Sequence, residues 1–192
     1  VSGRASGPPG EVRLIAGLWK RSKLPVPSRP GLRPTPDRVR ETLYDWLGAD
    51  LSGWRVLDAF AGSGALGLEA ASRGAAEVLM LERDAALARG LRETVARLSA
   101  GAAPAGRVTV QTADAVAWMA AAPAAGFDLV LLDPPFDAGL LPPALDAALR
   151  LVGEGGWVYA ESGGVIEPPV GWAVHRSLRA GAVHAALLRQ QT

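Results

Sequence analysis

Between residues 54 and 161, short apolar runs alternate with stretches of helical spacing, and this alternation restricts the fold more than any other feature of the chain. Strands are expected at 54–58, 77–82, 107–112, 127–132 and 156–161, with helices at 65–73, 85–99, 114–121 and 140–151 between them. Strand–helix–strand units of this length bring successive strands into parallel register and lay helices on both faces, which is a doubly wound α/β sheet. Upstream, a disordered tail is expected through about Gly10, then a hairpin near 12–26 and a Pro-rich connector. A helix follows from Pro36 or Asp37 to Leu47, with Val39, Leu43, Trp46 and Leu47 at helical spacing and a stop at Gly48. At the other end Trp172 to Arg179 and Val183 to Arg189, joined by Ala180-Gly181-Ala182, form a second hairpin. The division is a tail over 1–10, a basic hairpin and connector over 11–35, and one main domain over 36–192.

Open sheets of this kind collect ligands at the carboxyl ends of their strands. The first such end, Trp54-Arg55-Val56-Leu57-Asp58, runs into Ala59-Phe60-Ala61-Gly62-Ser63-Gly64-Ala65, a small-residue turn that opens a helix. Gly62 and Gly64 permit a sharp turn and close approach of a ligand to the backbone, and the helix start adds unpaired N–H groups. The second strand ends in Glu82, 24 positions after Asp58, close to the offset at which a carboxylate takes a ribose diol in dinucleotide folds. The third runs into Asp114 and Ala115, where Asp114 could accept a bond from an adenine amino group. Gly62-Ser63-Gly64-Ala65-Leu66-Gly67 also satisfies G-x-G-x-x-G, so a nicotinamide or flavin site is the alternative. Asp58 speaks against it: a negative charge directly ahead of the loop opposes a pyrophosphate but welcomes the ammonium of an amino acid or a sulfonium. Phe60, where many methyltransferases carry the first glycine, is a second detail against it. The expected ligand is S-adenosylmethionine, held by Asp58, Phe60, Gly62, Ser63, Gly64, Glu82, Arg83, Asp114 and Ala115.

The fourth strand, Phe127-Asp128-Leu129-Val130-Leu131-Leu132, ends in Asp133-Pro134-Pro135-Phe136. Two consecutive prolines lack donors and fix φ, so the chain must leave the sheet after Asp133. Their carbonyls stay free as acceptors beside the Asp133 carboxylate. A group with two N–H bonds can donate to Asp133 and to the Pro134 carbonyl while Phe136 stacks on its ring, at about 1–3 kcal/mol per base. That set suits the exocyclic amine of a nucleobase; the plain alternative for the tetrad alone is a Pro-Pro turn with Phe136 as a core residue.

With both motifs in place the chain resembles the class I amino-methyltransferases and, within them, the RsmD family of small-subunit rRNA guanine-N2 methyltransferases. The resemblance begins with Arg13-Leu14-Ile15-Ala16-Gly17-Leu18-Trp19-Lys20, continues through Lys23-Leu24-Pro25-Val26-Pro27 and takes in Gly31-Leu32-Arg33-Pro34-Thr35-Pro36-Asp37-Arg38-Val39-Arg40-Glu41-Thr42-Leu43 before the two motifs. The last of these segments is more particular to the family than the glycine loop or the tetrad. Thr94 and Leu18 depart from the pattern, which usually has Asn and Lys or Arg there. The resemblance implies a Rossmann-like class I methyltransferase fold, a mostly parallel seven-stranded sheet of order 3-2-1-4-5-7-6 closed by the terminal hairpin, with 36–192 as the methyltransferase domain. It also implies methyl transfer from S-adenosylmethionine to the N2 of a guanine in 16S rRNA, with Asp133, Pro134 and Phe136 at the reacting amine and no metal. A DNA adenine-N6 or cytosine-N4 methyltransferase shares both motifs and remains open, as does a non-catalytic RNA-binding module.

Charge is unevenly spread: residues 1–48 hold nine Lys/Arg against four Asp/Glu, and the rest eleven against fifteen. Arg13, Lys20, Arg21, Lys23, Arg29, Arg33, Arg38 and Arg40, interleaved with Trp19 and prolines, read as an RNA backbone-binding arm. The expected partner is 16S rRNA in an assembling small subunit, bound by a monomer. Absence of cysteine excludes a covalent thiol route such as pyrimidine C5 methylation. His175 and His184 lack partners at metal-ligand spacing. No run approaches the roughly 18 apolar residues of a membrane span, and the amino end lacks a signal-peptide apolar region, so a cytoplasmic protein is expected.

Overall fold

Residues 10–26 and 35–191 are described in the computed structural model of this chain. The expected tail (apart from Gly10), most of the Pro-rich connector, Arg29 and Arg33 lie outside the described residues. Gly10–Arg13 (β1) and Lys23–Val26 (β2) pair antiparallel as a two-stranded sheet, and α1 spans Asp37–Trp46. The alternation then runs β3 (Arg55–Asp58), α2 (Ala65–Ser72), β4 (Glu77–Glu82), α3 (Ala85–Gly101), β5 (Arg107–Thr112), α4 (Ala115–Ala121), β6 (Phe127–Leu132), α5 (Leu141–Leu151) and β7 (Val152–Ser162), closed by β8 (Trp172–Ala180) and β9 (Val183–Gln190). The main sheet has the order β5-β4-β3-β6-β7-β9-β8, parallel as far as β7 and antiparallel in β9 and β8. Counted from β3, this is the 3-2-1-4-5-7-6 order of the class I methyltransferases.

Two elements differ from expectation. β7 begins at Val152 rather than 156, because Val152 pairs with Phe127 before a register shift, and the intervening Gly153, Gly155 and Gly156 carry no apolar signal. A short 3-10 turn at Phe136–Ala138 follows the two prolines, which end the β6 ladder as their missing donors require.

The register sets the site. Asp58 pairs with Leu131 and with Met80, so Asp133 and Glu82 each lie two residues beyond the Asp58 level on the neighbouring strands. Leu132 pairs with Ala160, which puts Glu161 beside Asp133. Apolar side chains pack on both faces of the sheet in two clusters. Val12, Leu14, Trp19, Leu24 and Val26 of the hairpin region belong to the same cluster as Leu43, Leu51, Val56 and Leu68. At about 1.5–3 kcal/mol for each large apolar side chain buried, these residues hold the hairpin onto the domain. Glu69 of α2 reinforces the joint, accepting the N–H groups of Ile15 at 2.8 Å and Ala16 at 3.0 Å, and Trp19 Nε1–H donates to the Ala102 carbonyl at 2.8 Å. No helix among the described residues is long and apolar enough to cross a membrane.

Candidate active site

The glycine loop leaves β3 and enters α2 with Gly62 at φ 52° and Gly64 at φ 79°, the left-handed region in which a side chain is strained. Asp58, buried at the end of β3, receives the Gly67 N–H on Oδ2 at 2.8 Å, which ties the strand to the first turn of α2. Its Oδ1 has no hydrogen-bond partner among the described residues. Burial pushes the Asp58 carboxyl up to about 7, the Gly67 N–H opposes that, the Glu82 charge adds to it, and the nearby Phe60 N–H again opposes it. A buried carboxylate with one orphaned oxygen beside a left-handed loop is completed by a cation with N–H donors, such as an amino acid ammonium, and is made worse by a pyrophosphate. The residues present therefore fit the amino-acid end of S-adenosylmethionine and not a nicotinamide dinucleotide.

Glu82 closes the same crevice. Its Oε2 accepts the Gly62 N–H at 3.0 Å and its Oε1 the Asp84 N–H at 2.8 Å, so the carboxylate is oriented by the loop and by the start of α3 together. Each oxygen keeps a further lone pair for a hydroxyl donor. Phe60 is half-buried against the second core cluster, Ser63 is half-buried and Arg83 is exposed. Asp114 is exposed and caps α4, accepting the Ala117 N–H at 3.0 Å, and Ala115 is buried behind it. A cavity of about 320 Å³ flanks the loop between Gly62, Ser63, Pro25 and the α3 residues Leu87 and Gly90, but Glu82, Asp114 and Asp133 do not line it.

Asp133 stands half-buried at the end of β6. Its Oδ2 lies 3.2 Å from the Thr35 hydroxyl, which is also 2.9 Å from Glu161 Oε1, and Tyr159 O–H donates to that same Glu161 oxygen at 2.8 Å. Burial raises the Asp133 carboxyl well above the ordinary range, and the Glu161 and Asp58 charges raise it further, against the Thr35 contact. Glu161 is also raised by burial, opposed by Tyr159, Thr35 and the Arg40 charge. The Pro134 carbonyl accepts no hydrogen bond among the described residues, whereas that of Pro135 takes the Ala138 N–H at 3.2 Å. Phe136 is 43% exposed and its ring lies over Gly163, where an added Cβ would sit 3.4 Å from the ring. Among the described residues, a carboxylate with Oδ1 unengaged, an unengaged carbonyl and a partly exposed aromatic ring thus share one strand end.

Arg40 corrects the sequence reading. Its spacing among basic residues suggests an RNA-facing cation, but its side chain is fully buried. Its Nη2 donates to the Arg13 carbonyl at 2.8 Å and to Asp37 Oδ1 at 2.6 Å, its Nε to the Thr35 carbonyl at 3.3 Å, and its Nη1 lies 3.7 Å from Glu69 Oε2. The reason is its place on the helix: Arg40, Leu43 and Tyr44 share the face of α1 that packs inward. Arg13, Lys20, Arg21, Lys23 and Arg38 are exposed, with Lys23 paired to Glu11 at 2.9 Å. Sequence reasoning missed Thr35, Tyr159 and Glu161; the available signal was an acid in the apolar run Val158-Tyr159-Ala160-Glu161, at the same strand end as Asp133. Among the described residues no three His, Cys, Asp or Glu are grouped to hold a metal, and His175 packs on Trp157 with ring centroids 4.9 Å apart.

Comparison with known proteins gives a consistent result. Residues 12–189 match the family described as Conserved hypothetical protein 95. The chain is 40% identical over 191 residues to ribosomal RNA small subunit methyltransferase D of Escherichia coli strain K12, covering 95% of this chain and 91% of that protein. It is 42% identical over 149 residues to the protein of the same name from Haemophilus influenzae, covering 78% and 74%. A solved putative methyltransferase of Escherichia coli superposes with a TM-score of 0.81 at 36% identity, over 95% of this chain and 99% of that one.

Proposed function

This chain belongs to the Conserved hypothetical protein 95 family, the RsmD family of methyltransferases, and on that premise we propose that it transfers a methyl group from S-adenosylmethionine to the exocyclic N2 of one guanine in 16S ribosomal RNA. The single observation that carries the chemistry is Asp133, presented at the end of β6 beside the unengaged Pro134 carbonyl and one strand away from the orphaned oxygen of Asp58. The relatives named as ribosomal RNA small subunit methyltransferases support the substrate class.

When bound, S-adenosylmethionine supplies an electrophilic methyl group. Asp58 would receive its ammonium, Gly62, Ser63 and Gly64 its amino-acid backbone, Glu82 its ribose hydroxyls, and Asp114 with Ala115 and Arg83 its base. Asp133 and the Pro134 carbonyl each accept one N–H of the guanine amine, which turns the nitrogen lone pair out of conjugation with the ring. Phe136 covers one face of the base. Preorganised acceptors of this kind stabilise the positive charge that grows on nitrogen, and fixing the two reactants supplies up to roughly 7–11 kcal/mol in the best intramolecular cases. The base has to leave its stack to reach Asp133, so an unpaired nucleotide is the cheaper substrate. The exposed Arg13, Lys20, Arg21, Lys23 and Arg38, together with Arg33, would meet phosphates of an assembling small subunit, with the protein acting as a monomer.

The test is incubation of purified protein with labelled S-adenosylmethionine and small subunits lacking the modification, followed by nucleoside mass spectrometry. N2-methylguanosine is the expected product, and Asp133→Ala should bind the cofactor yet form none. N6-methyladenine or N4-methylcytosine formed in a parallel incubation with DNA, with no product on the subunits, would establish the DNA amino-methyltransferase reading.

A further inference from the structure

Methylation of a neutral amine leaves one proton too many on the product, and Asp133 is not alone in facing that problem. Thr35 reaches both Asp133 Oδ2 at 3.2 Å and Glu161 Oε1 at 2.9 Å. A hydroxyl has one proton to donate and lone pairs with which to accept. If both carboxyls are ionised, Thr35 can serve only one of them, and the other contact sets oxygen against oxygen. One added proton repairs this: Asp133 O–H donates to Thr35 Oγ1, and Thr35 O–H donates to Glu161 Oε1, which also accepts from Tyr159 at 2.8 Å. The three groups come from different parts of the chain, Thr35 ahead of α1, Asp133 after β6 and Glu161 in β7. Arg40 steadies the middle member by donating to the Thr35 carbonyl at 3.3 Å.

Given Asp133 as the acceptor of the target amine, the reading proposed above, we propose that Thr35 and Glu161 form a proton relay behind it that moves the excess proton of the methylated amine away from the reacting nitrogen and onto Glu161. The balance is simple. The N–H bond breaks, its electrons return to nitrogen as the lone pair of a neutral secondary amine, and an O–H bond forms on Asp133. As Asp133 Oδ2–H passes its proton to Thr35 Oγ1, the proton originally on Thr35 moves to Glu161 Oε1. The nitrogen loses one proton, the carboxyl pair gains one, and nothing is oxidised or reduced. Glu161 does not touch the base; it is a positioning residue that acts through Thr35 and Asp133.

The surroundings favour a stored proton. Glu161 is faced by Tyr159 of its own strand, by Thr35 and Asp133, by Asp58 from β3, and by Arg40 from α1, while Tyr44 of α1 lies near Tyr159. Burial raises both carboxyls, and the Glu161 charge raises Asp133 further, so the pair takes up its proton above the ordinary carboxylate range. The target amine needs Asp133 ionised to accept from it and the relay needs Glu161 ionised to receive, so the shared-proton arrangement is the state reached after transfer, the reactive form is the pair without that proton, and kcat should rise with pH through that raised range.

Glu161→Gln keeps acceptors for Tyr159 and Thr35 but cannot hold the proton, and it removes the negative charge that raises Asp133. The acidic limb of the kcat profile should therefore move to lower pH, with KM for RNA and cofactor affinity unchanged. Plateau kcat should fall roughly ten- to a hundredfold, less than for loss of a base in direct contact because water remains an acceptor. Thr35→Val should lower kcat similarly, and Thr35→Ser should restore most of what Thr35→Val loses. An unmoved limb together with an unchanged plateau in Glu161→Gln would overturn the relay. A second measurement needs no substrate: carbon NMR of labelled carboxyls should show Asp133 and Glu161 sharing one proton in a coupled titration that Thr35→Val uncouples. Independent titration of the two in the wild-type protein would also overturn the relay, whereas absence of N2-methylguanosine from the wild-type reaction with the shared proton intact would refute only the substrate reading.

Discussion

Replacing Arg40 by Met separates two roles for a cation in this segment. In the structure the guanidinium is fully buried, donates to the Arg13 and Thr35 carbonyls and to Asp37, and lies 3.7 Å from Glu69. Hydrogen bonds from charged groups contribute about 1.5–3 kcal/mol each, and removing one partner of a buried pair costs about 3–5 kcal/mol. The lower end applies, because Glu69 keeps Arg73 at 2.9 Å and the Ile15 and Ala16 N–H groups, and Asp37, with 66% of its side chain exposed, returns to water. A loss of about 3 kcal/mol follows, which lowers the melting midpoint of a chain of this size by roughly 6–12 °C. Arg40→Lys should recover little of it, since an ammonium cannot span the same acceptors as a planar fork. Urea unfolding measures the loss, and RNA binding at low and moderate salt measures the other role. A phosphate contact would lower the salt slope by about 0.9 when neutralised. An unchanged unfolding midpoint combined with a flattened salt slope would refute the buried-anchor assignment and restore Arg40 to the RNA surface.

Three further outcomes are expected. Gly17→Ala places a Cβ 1.8 Å from the Ser72 carbonyl oxygen at a φ of 77°, so it should cost stability at or above the top of the ~1–3 kcal/mol usual for forced insertion. Hydrogen exchange should then show β1 and β2 amides losing protection first, and unaltered protection would mean that the hairpin is not held at α2. Asp58, raised to about 7 in the folded protein, keeps a proton there that an unfolded carboxyl near 3.9 has already lost, so its contribution to stability declines as pH rises between those values. Cofactor ammonium requires the ionised form, so affinity measured by titration calorimetry should fall by up to about tenfold per pH unit below 7, and Asp58→Asn should abolish that slope. A pH-independent affinity in the wild-type protein would remove Asp58 from the ammonium site. Neutralising the exposed Arg13, Lys20, Arg21 and Arg38 together should weaken RNA binding and flatten its salt slope by up to about 3.6, and an unchanged slope would assign this face to another task.

The architecture was legible because its signals are local. Strands β4, β5 and β6 begin and end where the apolar runs 77–82, 107–112 and 127–132 do, each bounded by turn residues, and the two prolines after Asp133 mark where the chain leaves the sheet. The start of β7 was not legible, since Gly153, Gly155 and Gly156 present no side-chain pattern and the Val152 pairing depends on a register shift against β6. The glycine loop and the acids at the ends of β3 and β4 were legible for the same local reason, the turn and the carboxylate being adjacent in the chain.

What escaped the sequence reading was charge placed inside apolar patterns. Arg40 lies on the inward face of α1 with Leu43 and Tyr44, Glu69 sits in the wholly buried helix Ala65–Ser72, and Glu161 ends the apolar stretch of β7. Counting charges along the chain assigns such residues to the surface; their helical or strand phase assigns them to the interior, where a charge persists only with a partner. Two of them, Arg40 and Glu69, are set against each other at 3.7 Å, and the third shares Thr35 with Asp133. On the proposed reading the Thr35-to-Leu43 segment would serve the reaction from behind, because Arg40, buried on the helix, donates to the carbonyl of the residue whose hydroxyl touches Asp133. A substitution on that inward face should alter turnover without touching substrate, through the position of one hydroxyl.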